Sequence, residues 1–175
     1  MTPILFVHIP KTAGTTLRTV VVNQVNGRKV FVFGRDWEDN LATFLAKPQT
    51  ERDAYEAIIG HQHYGLHRHL TAPKVTYITF LRHPVERFLS WYSHSLNLKN
   101  ARHHKLVKTT PLTDLARLPM QRDYQMRWIL GYAEDGAQGA VYGDDVPLPD
   151  NAFEIAKTRL TTEFAFAGIV EQFDA

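Results

Sequence analysis

Apolar residues fall along this chain in short runs separated by polar turns. Ile4-Leu5-Phe6-Val7 has no polar break, the pattern of a strand covered on both faces in a parallel sheet. The polar stretch 8–16 follows, then a helix with Leu17, Val20 and Val21 on one face. The run Val20-Val21-Val22 lowers helix propensity, so burial must hold that helix in place. Lys29 to Phe33 predicts a second strand after the turn signal Asn26-Gly27, Asp39 to Leu45 a short helix, and Tyr55 to Ile59 a third strand ending at Gly60. Val75 to Leu81 is apolar, β-branched and aromatic, and predicts another strand. Pro84 then suits the first turn of a helix reaching at least Ser93.

Later elements are a helix from Arg122 to Leu130, a helix from Asn151 to Leu160 with Phe153, Ala156 and Leu160 near one face, and a strand from Phe164 to Val170. Two polar segments lie between. Lys99 to Thr110 carries Lys99, Arg102, Lys105 and Lys108 without an acid and reads as a mobile basic loop. Gly131 to Asp150 holds Glu134, Asp135, Asp144, Asp145 and Asp150 without a Lys or Arg and reads as a solvated acidic excursion. The alternation of strands and helices predicts a three-layer α/β fold around a mainly parallel sheet. No repeat or linker interrupts it, so residues 1–175 are expected to form a single domain.

Composition narrows the function. The chain of 175 residues carries 20 Lys plus Arg against 18 Asp plus Glu, a net charge of +2, too balanced for the clustered basic surface of a nonspecific nucleic-acid binder. It has no cysteine, which excludes disulfides, thiolate-bound zinc, iron–sulfur clusters and thiol nucleophiles. No apolar run approaches the ~18 residues of a membrane span, and Met1-Thr2-Pro3 leads into no signal-peptide core. A soluble, cytoplasmic protein is expected.

In such folds ligands gather at the carboxyl ends of strands, and both conspicuous polar motifs fall there. The first, Lys11-Thr12-Ala13-Gly14-Thr15-Thr16, joins a cation, small residues and hydroxyls where a strand turns into a helix. Free amides at a helix start attract phosphate or sulfate oxygens, and Lys11 adds a point charge. The lysine precedes the glycine, unlike G-x-x-x-x-G-K-[ST], which argues against a standard ATPase or GTPase. An ordinary helix start with a solvated lysine is the plain alternative. The second motif pairs Arg82, just beyond a strand, with Ser90 in the next helix, a guanidinium and a neutral donor able to converge on one anion. Glu86 is placed to orient a basic residue; an ion pair of Arg82 or Arg87 with Glu86 is the competing reading. Between the motifs lies Gly60-His61-Gln62-His63-Tyr64-Gly65, whose imidazoles can take a proton from an alcohol near neutral pH. His61 and His63 might equally form a structural turn; a zinc site is disfavoured because no Cys and no Asp or Glu spacing completes it.

These strings, together with Phe6-Val7-His8-Ile9-Pro10 before the first and Phe80-Leu81-Arg82-His83-Pro84-Val85-Glu86-Arg87-Phe88-Leu89-Ser90-Trp91-Tyr92 around the second, resemble the carbohydrate sulfotransferase superfamily, in particular its heparan and dermatan 2-O-sulfotransferase branch. Weaker similarity runs through Tyr124–Trp128 and Phe166–Asp174. The resemblance implies the P-loop-like sulfotransferase fold and a sulfuryl donor, 3′-phosphoadenosine 5′-phosphosulfate (PAPS), with no metal. It implies that Lys11, Thr12, Ala13, Gly14, Thr15 and Thr16 hold the 5′-phosphosulfate end, with Lys11 also catalytic, and that Arg82 and Ser90 hold the 3′-phosphate. His61 matches the catalytic histidine, His63 is the alternative, and Arg127 reaches nucleotide or acceptor. The acceptor is expected to be a hydroxyl, of a saccharide or other small alcohol. A nucleotide-dependent phosphotransferase and a noncatalytic anion- or glycan-binding module are the competing readings. Relatives commonly continue with a helix beyond Phe173-Asp174, so the chain is expected to be a minimal homologue or one truncated at the C-terminal end.

Overall fold

A computed structural model describes residues 2–25, 29–34, 37–131, 141–143 and 146–173. In chain order its elements are β1 (Ile4–Val7), α1 (Gly14–Gln24), β2 (Val30–Phe33), α2 (Trp37–Leu45), α3 (Gln49–Arg52), β3 (Ala57–Gly60), β4 (Thr76–Leu81), α4 (Pro84–Asn97), α5 (His104–Thr109), α6 (Leu112–Ala116), α7 (Tyr124–Leu130), α8 (Ala152–Thr162) and β5 (Phe164–Ile169). Short 3₁₀ turns occupy Leu66–His69, Pro119–Gln121 and Val170–Gln172.

The five strands form one sheet in the order β2-β3-β1-β4-β5, every neighbouring pair parallel. This is the α/β architecture that the alternating pattern predicts. The unbroken apolar run of β1 has the reason inferred for it: Leu5, Phe6 and Val7 are all buried, facing two cores in alternation. Leu5 and Val7 join Phe33, Ile58 and Tyr77 beneath α2, α7 and α8, whereas Phe6 joins Val21, Val25, Ala57 and Ile59 beneath α1. Helices on both faces make three layers. A third, smaller core ties α4 to α5 and α6 through Trp91, Val107 and Leu115.

Register places the site. Val7 pairs with Gly60 on one side and Thr79 on the other, so His8 and His61 emerge together at the carboxyl edge, with Arg82 just beyond β4. The chain leaves β1 for β2 on one side and later crosses β1 to build β4 on the other. That reversal is the topological switch point where open parallel sheets bind ligands.

Several local expectations need correction. Lys99 to Thr110 is not all loop: α5 forms within it because Val107 packs into the third core. Helix α1 starts at Gly14, so Thr15 and Thr16 belong to its first turn. Val21 is buried but Val20 is 46% exposed, narrowing the apolar face of α1. In α8 it is Ala152, Ala156 and Arg159 that are buried, while Phe153 is 67% exposed. The Asn26-Gly27 turn and most of the acidic excursion, including Glu134, Asp135, Asp144 and Asp145, lie outside the described residues.

Candidate active site

The loop after β1 is held in an uncommon shape. Lys11 and Ala13 both adopt left-handed backbone conformations, with φ of 72° and 57°. For residues with a Cβ this costs about 1–3 kcal/mol each and persists only where surrounding contacts impose it. Thr12, 1% exposed, imposes it from within: its hydroxyl donates to the Ile9 carbonyl at 2.8 Å. Thr12 thus shapes the cradle from below, whereas Thr15 and Thr16 are exposed at its rim. Helix α1 then begins without any side-chain cap and without an acid in its first turn, leaving its amide end to an anion.

Gly14 is required sterically. A Cβ there would lie 1.8 Å from the His8 ring, so the loop and that imidazole are in close apposition. His8 in turn stacks between Phe6, at 5.6 Å between ring centres, and His61, at 4.4 Å. Burial, followed by the neighbouring His61, Arg18 and Lys11, pushes the His8 pKa down to about 3, so this ring is a neutral spacer at physiological pH.

The two imidazoles of the histidine turn part company. Nδ1 of His61 lies 3.0 Å from the His8 carbonyl oxygen. A carbonyl only accepts, so Nδ1 carries the hydrogen and Nε2 of the neutral ring is left as the basic nitrogen. His61 is part-exposed. His63 is buried, lies flat on Trp128 with ring centres 4.2 Å apart, and has its pKa pushed down to about 3 by burial first and His61 second. Trp128 also meets His61 edge-on at 6.0 Å. The buried Gln62 between them donates its amide to the Phe6 and Ile58 carbonyls, pinning the turn to the sheet end.

Across the switch point, Nη1 of Arg82 lies 3.5 Å from the Lys11 carbonyl oxygen. The guanidinium leans on two acids at weak range, Glu86 at 3.9 Å and Glu171 at 3.7 Å. Glu171 is itself anchored by the His83 amide at 3.0 Å. Gln125 clasps the Arg82 peptide from both sides, accepting from its N–H at 2.9 Å and donating to its carbonyl at 2.7 Å. Ser90 is half-buried on α4. Arg127 is engaged elsewhere: Nη1 donates to the Gly143 and Val146 carbonyls at 2.6 and 2.7 Å, which ties those two residues to α7. His8, Gln125, Trp128 and Glu171 were not singled out from sequence. Apart from the short-range stacks of His8 on Phe6 and of Trp128 on Tyr124, the contacts that place them span 43 or more residues; in sequence His8 falls in the string Phe6–Pro10, Gln125 and Trp128 in Tyr124–Trp128, and Glu171 in Phe166–Asp174.

The site therefore gathers a cationic loop, an uncapped helix start, an arginine and one oriented imidazole at the carboxyl edge of a parallel sheet. Among the described residues no cluster of His, Asp and Glu is arranged to hold a metal ion, and no helix is long and apolar enough to cross a membrane. The chain belongs to the sulfotransferase family, whose model matches residues 2–134 and so contains all of these predicted site residues. Its chemistry is accordingly sulfuryl transfer. None of the curated proteins compared with it matches.

Proposed function

We propose that this sulfotransferase takes its sulfuryl group from PAPS and delivers it to a carbohydrate hydroxyl, in the manner of the heparan and dermatan 2-O-sulfotransferases that its motifs resemble. The observation that carries the reading is the 3.5 Å approach of Arg82 Nη1 to the Lys11 carbonyl, which brings two candidate anion-binding groups, that guanidinium and the 11–16 loop, to one sheet edge. A donor with phosphates at both its 3′ and 5′ positions needs two such groups a fixed distance apart. The residues fit it: the uncapped, acid-free start of α1 offers backbone amides to an anion, and the loosely held Arg82 can exchange its carboxylate neighbours for a phosphate.

When bound, the donor supplies an activated sulfuryl group on a phosphate leaving group. Lys11 and the first amides of α1 stabilise the negative charge that grows on that phosphate as its bond to sulfur breaks. His61 Nε2 receives the acceptor's hydroxyl proton as the oxygen–sulfur bond forms, while the His8 carbonyl holds the ring in the required tautomer. Arg82 and Ser90 fix the nucleotide's other end, and that positioning replaces any need for a covalent enzyme intermediate.

The test is calorimetric titration with adenosine 3′,5′-bisphosphate and with 5′-AMP. The bisphosphate should bind at least about tenfold more tightly, and Arg82→Ala should erase most of that preference while leaving the fold intact. Equal affinity for both nucleotides would remove the 3′-phosphate clamp and the PAPS assignment with it.

A further inference from the structure

Arg87 on α4 is 3% exposed, yet among the described residues no carboxylate pairs with it. Its guanidinium lies 4.1 Å over the Tyr124 ring, and Nη2 donates to Gln121 Oε1 at 2.5 Å. Because an arginine only donates, that contact fixes the amide orientation of Gln121 and turns its Nε2 away from Arg87. Both remaining groups, Arg87 Nη1 and Gln121 Nε2, are buried without an acceptor. A desolvated cation with an unfilled donor, beside a second unfilled donor, is costly unless something answers it.

Both residues line a cleft of about 830 Å³ between α4, α6, α7 and Phe153 of α8. The volume suits a small ligand. The walls are apolar and open to solvent: Val85 is 55% exposed, Leu89 40%, Leu112 42% and Phe153 67%. Exposed apolar side chains scattered singly mean little, but here four of them surround one buried cation. Neither the 11–16 loop nor Arg82, Ser90 or His61 lines this cleft, so it is separate from the proposed donor site. Asp123 is also at its edge, where it would repel an anion that strayed from the Arg87 end.

We propose that this cleft binds an amphipathic carboxylate, a small molecule with an apolar body and one carboxyl group. Arg87 Nη1 and Gln121 Nε2 supply two N–H donors for the two oxygens of a planar carboxylate, and the aliphatic and aromatic walls take the hydrocarbon. The site rests on Arg87, Gln121 and the cleft alone and stands whether or not PAPS is the sulfuryl donor.

Titration of the full chain with octanoate, 1-octanol and octyl sulfate, followed by calorimetry or by chemical-shift changes in Tyr124 and Met126, tests it. Octanoate should bind at least about tenfold more tightly than 1-octanol, and Gln121→Leu and Arg87→Met should each reduce octanoate affinity about tenfold while sparing 1-octanol. If Arg87→Met fails to fold, Gln121→Leu decides, since it removes one donor from a half-buried turn. Absence of octanoate binding, equal binding of octanoate and 1-octanol, tighter binding of octyl sulfate, or an unchanged octanoate affinity in Gln121→Leu would each overturn the proposal.

Discussion

At the scale of single residues, the histidine turn shows how far a motif can be read. Gly60-His61-Gln62-His63 announces imidazoles at a strand end but cannot say which one is usable, because i and i+2 point alike in an extended chain. The structure separates them by what lies 50 or more residues away: the His8 carbonyl orients His61, and Trp128 covers His63. Two outcomes follow. His61→Ala should lower transfer by about 10²–10⁴-fold, the usual worth of a positioned base, with bisphosphate affinity changed little. A rate within a factor of two or three of the parent would move the proton elsewhere. His63 should make itself felt in stability. Its folded pKa of about 3 lies below the ordinary 6.5, so the unfolded chain binds a proton that the native state refuses, and stability is lost as pH falls from about 6.5 toward 3. Between pH 7 and 5 this amounts to about 2 kcal/mol, which His63→Gln should remove from the pH dependence of denaturant unfolding.

At the scale of elements, the strands were the legible part and the helices less so. All five strands lie within a residue or two of their apolar runs; burial on both faces accounts for the central β1 and β3, whereas β2 and β5 at the sheet edges are partly exposed. Helix α5 leaves little trace in the sequence since its polar surface outnumbers the single buried Val107, and in α8 Ala156 and Leu160 lie against the core as their spacing predicts whereas Phe153 does not. The structure turns Phe153 into the cleft instead, and periodicity cannot distinguish a core from an exposed groove. The strand–loop–helix junction carries its own prediction. Gly14→Ala should displace His8, and through the stack His61, weakening bisphosphate binding by about tenfold or more and destabilising the fold by about 1–3 kcal/mol. Titration calorimetry and urea unfolding of this variant give both numbers; parent-like values in both would show that the loop is slacker than its contacts indicate. Gly60 is constrained in a similar way, with φ of 120° and a prospective Cβ 2.1 Å from the Phe33 carbonyl oxygen.

At the scale of the whole molecule, parallelism could be inferred from the alternating pattern, but strand order could not. Whether β4 lies beside β1 or beyond β3 depends on a crossover that leaves no local trace, and the juxtaposition of Lys11 with Arg82 depends on that order. If one nucleotide grips both, it should stabilise the entire sheet rather than a single loop. Adenosine 3′,5′-bisphosphate at about 100 times its dissociation constant should add about 2.7 kcal/mol, a rise in Tm of roughly 5–11 °C for a chain of this size. A differential-scanning trace unmoved at saturation would show that the nucleotide does not select the folded state.

Helix α7 is a rod of seven residues whose fastenings include Tyr124 under the Arg87 guanidinium, Gln125 around the Arg82 peptide, and Trp128 against His63. A rod so short and held on several sides has little freedom to rotate without loosening one of these contacts. On the proposed reading, the backbone of the donor's seat is therefore set when the chain folds, and only side-chain partners such as those of the Arg82 guanidinium are left to change when a molecule arrives.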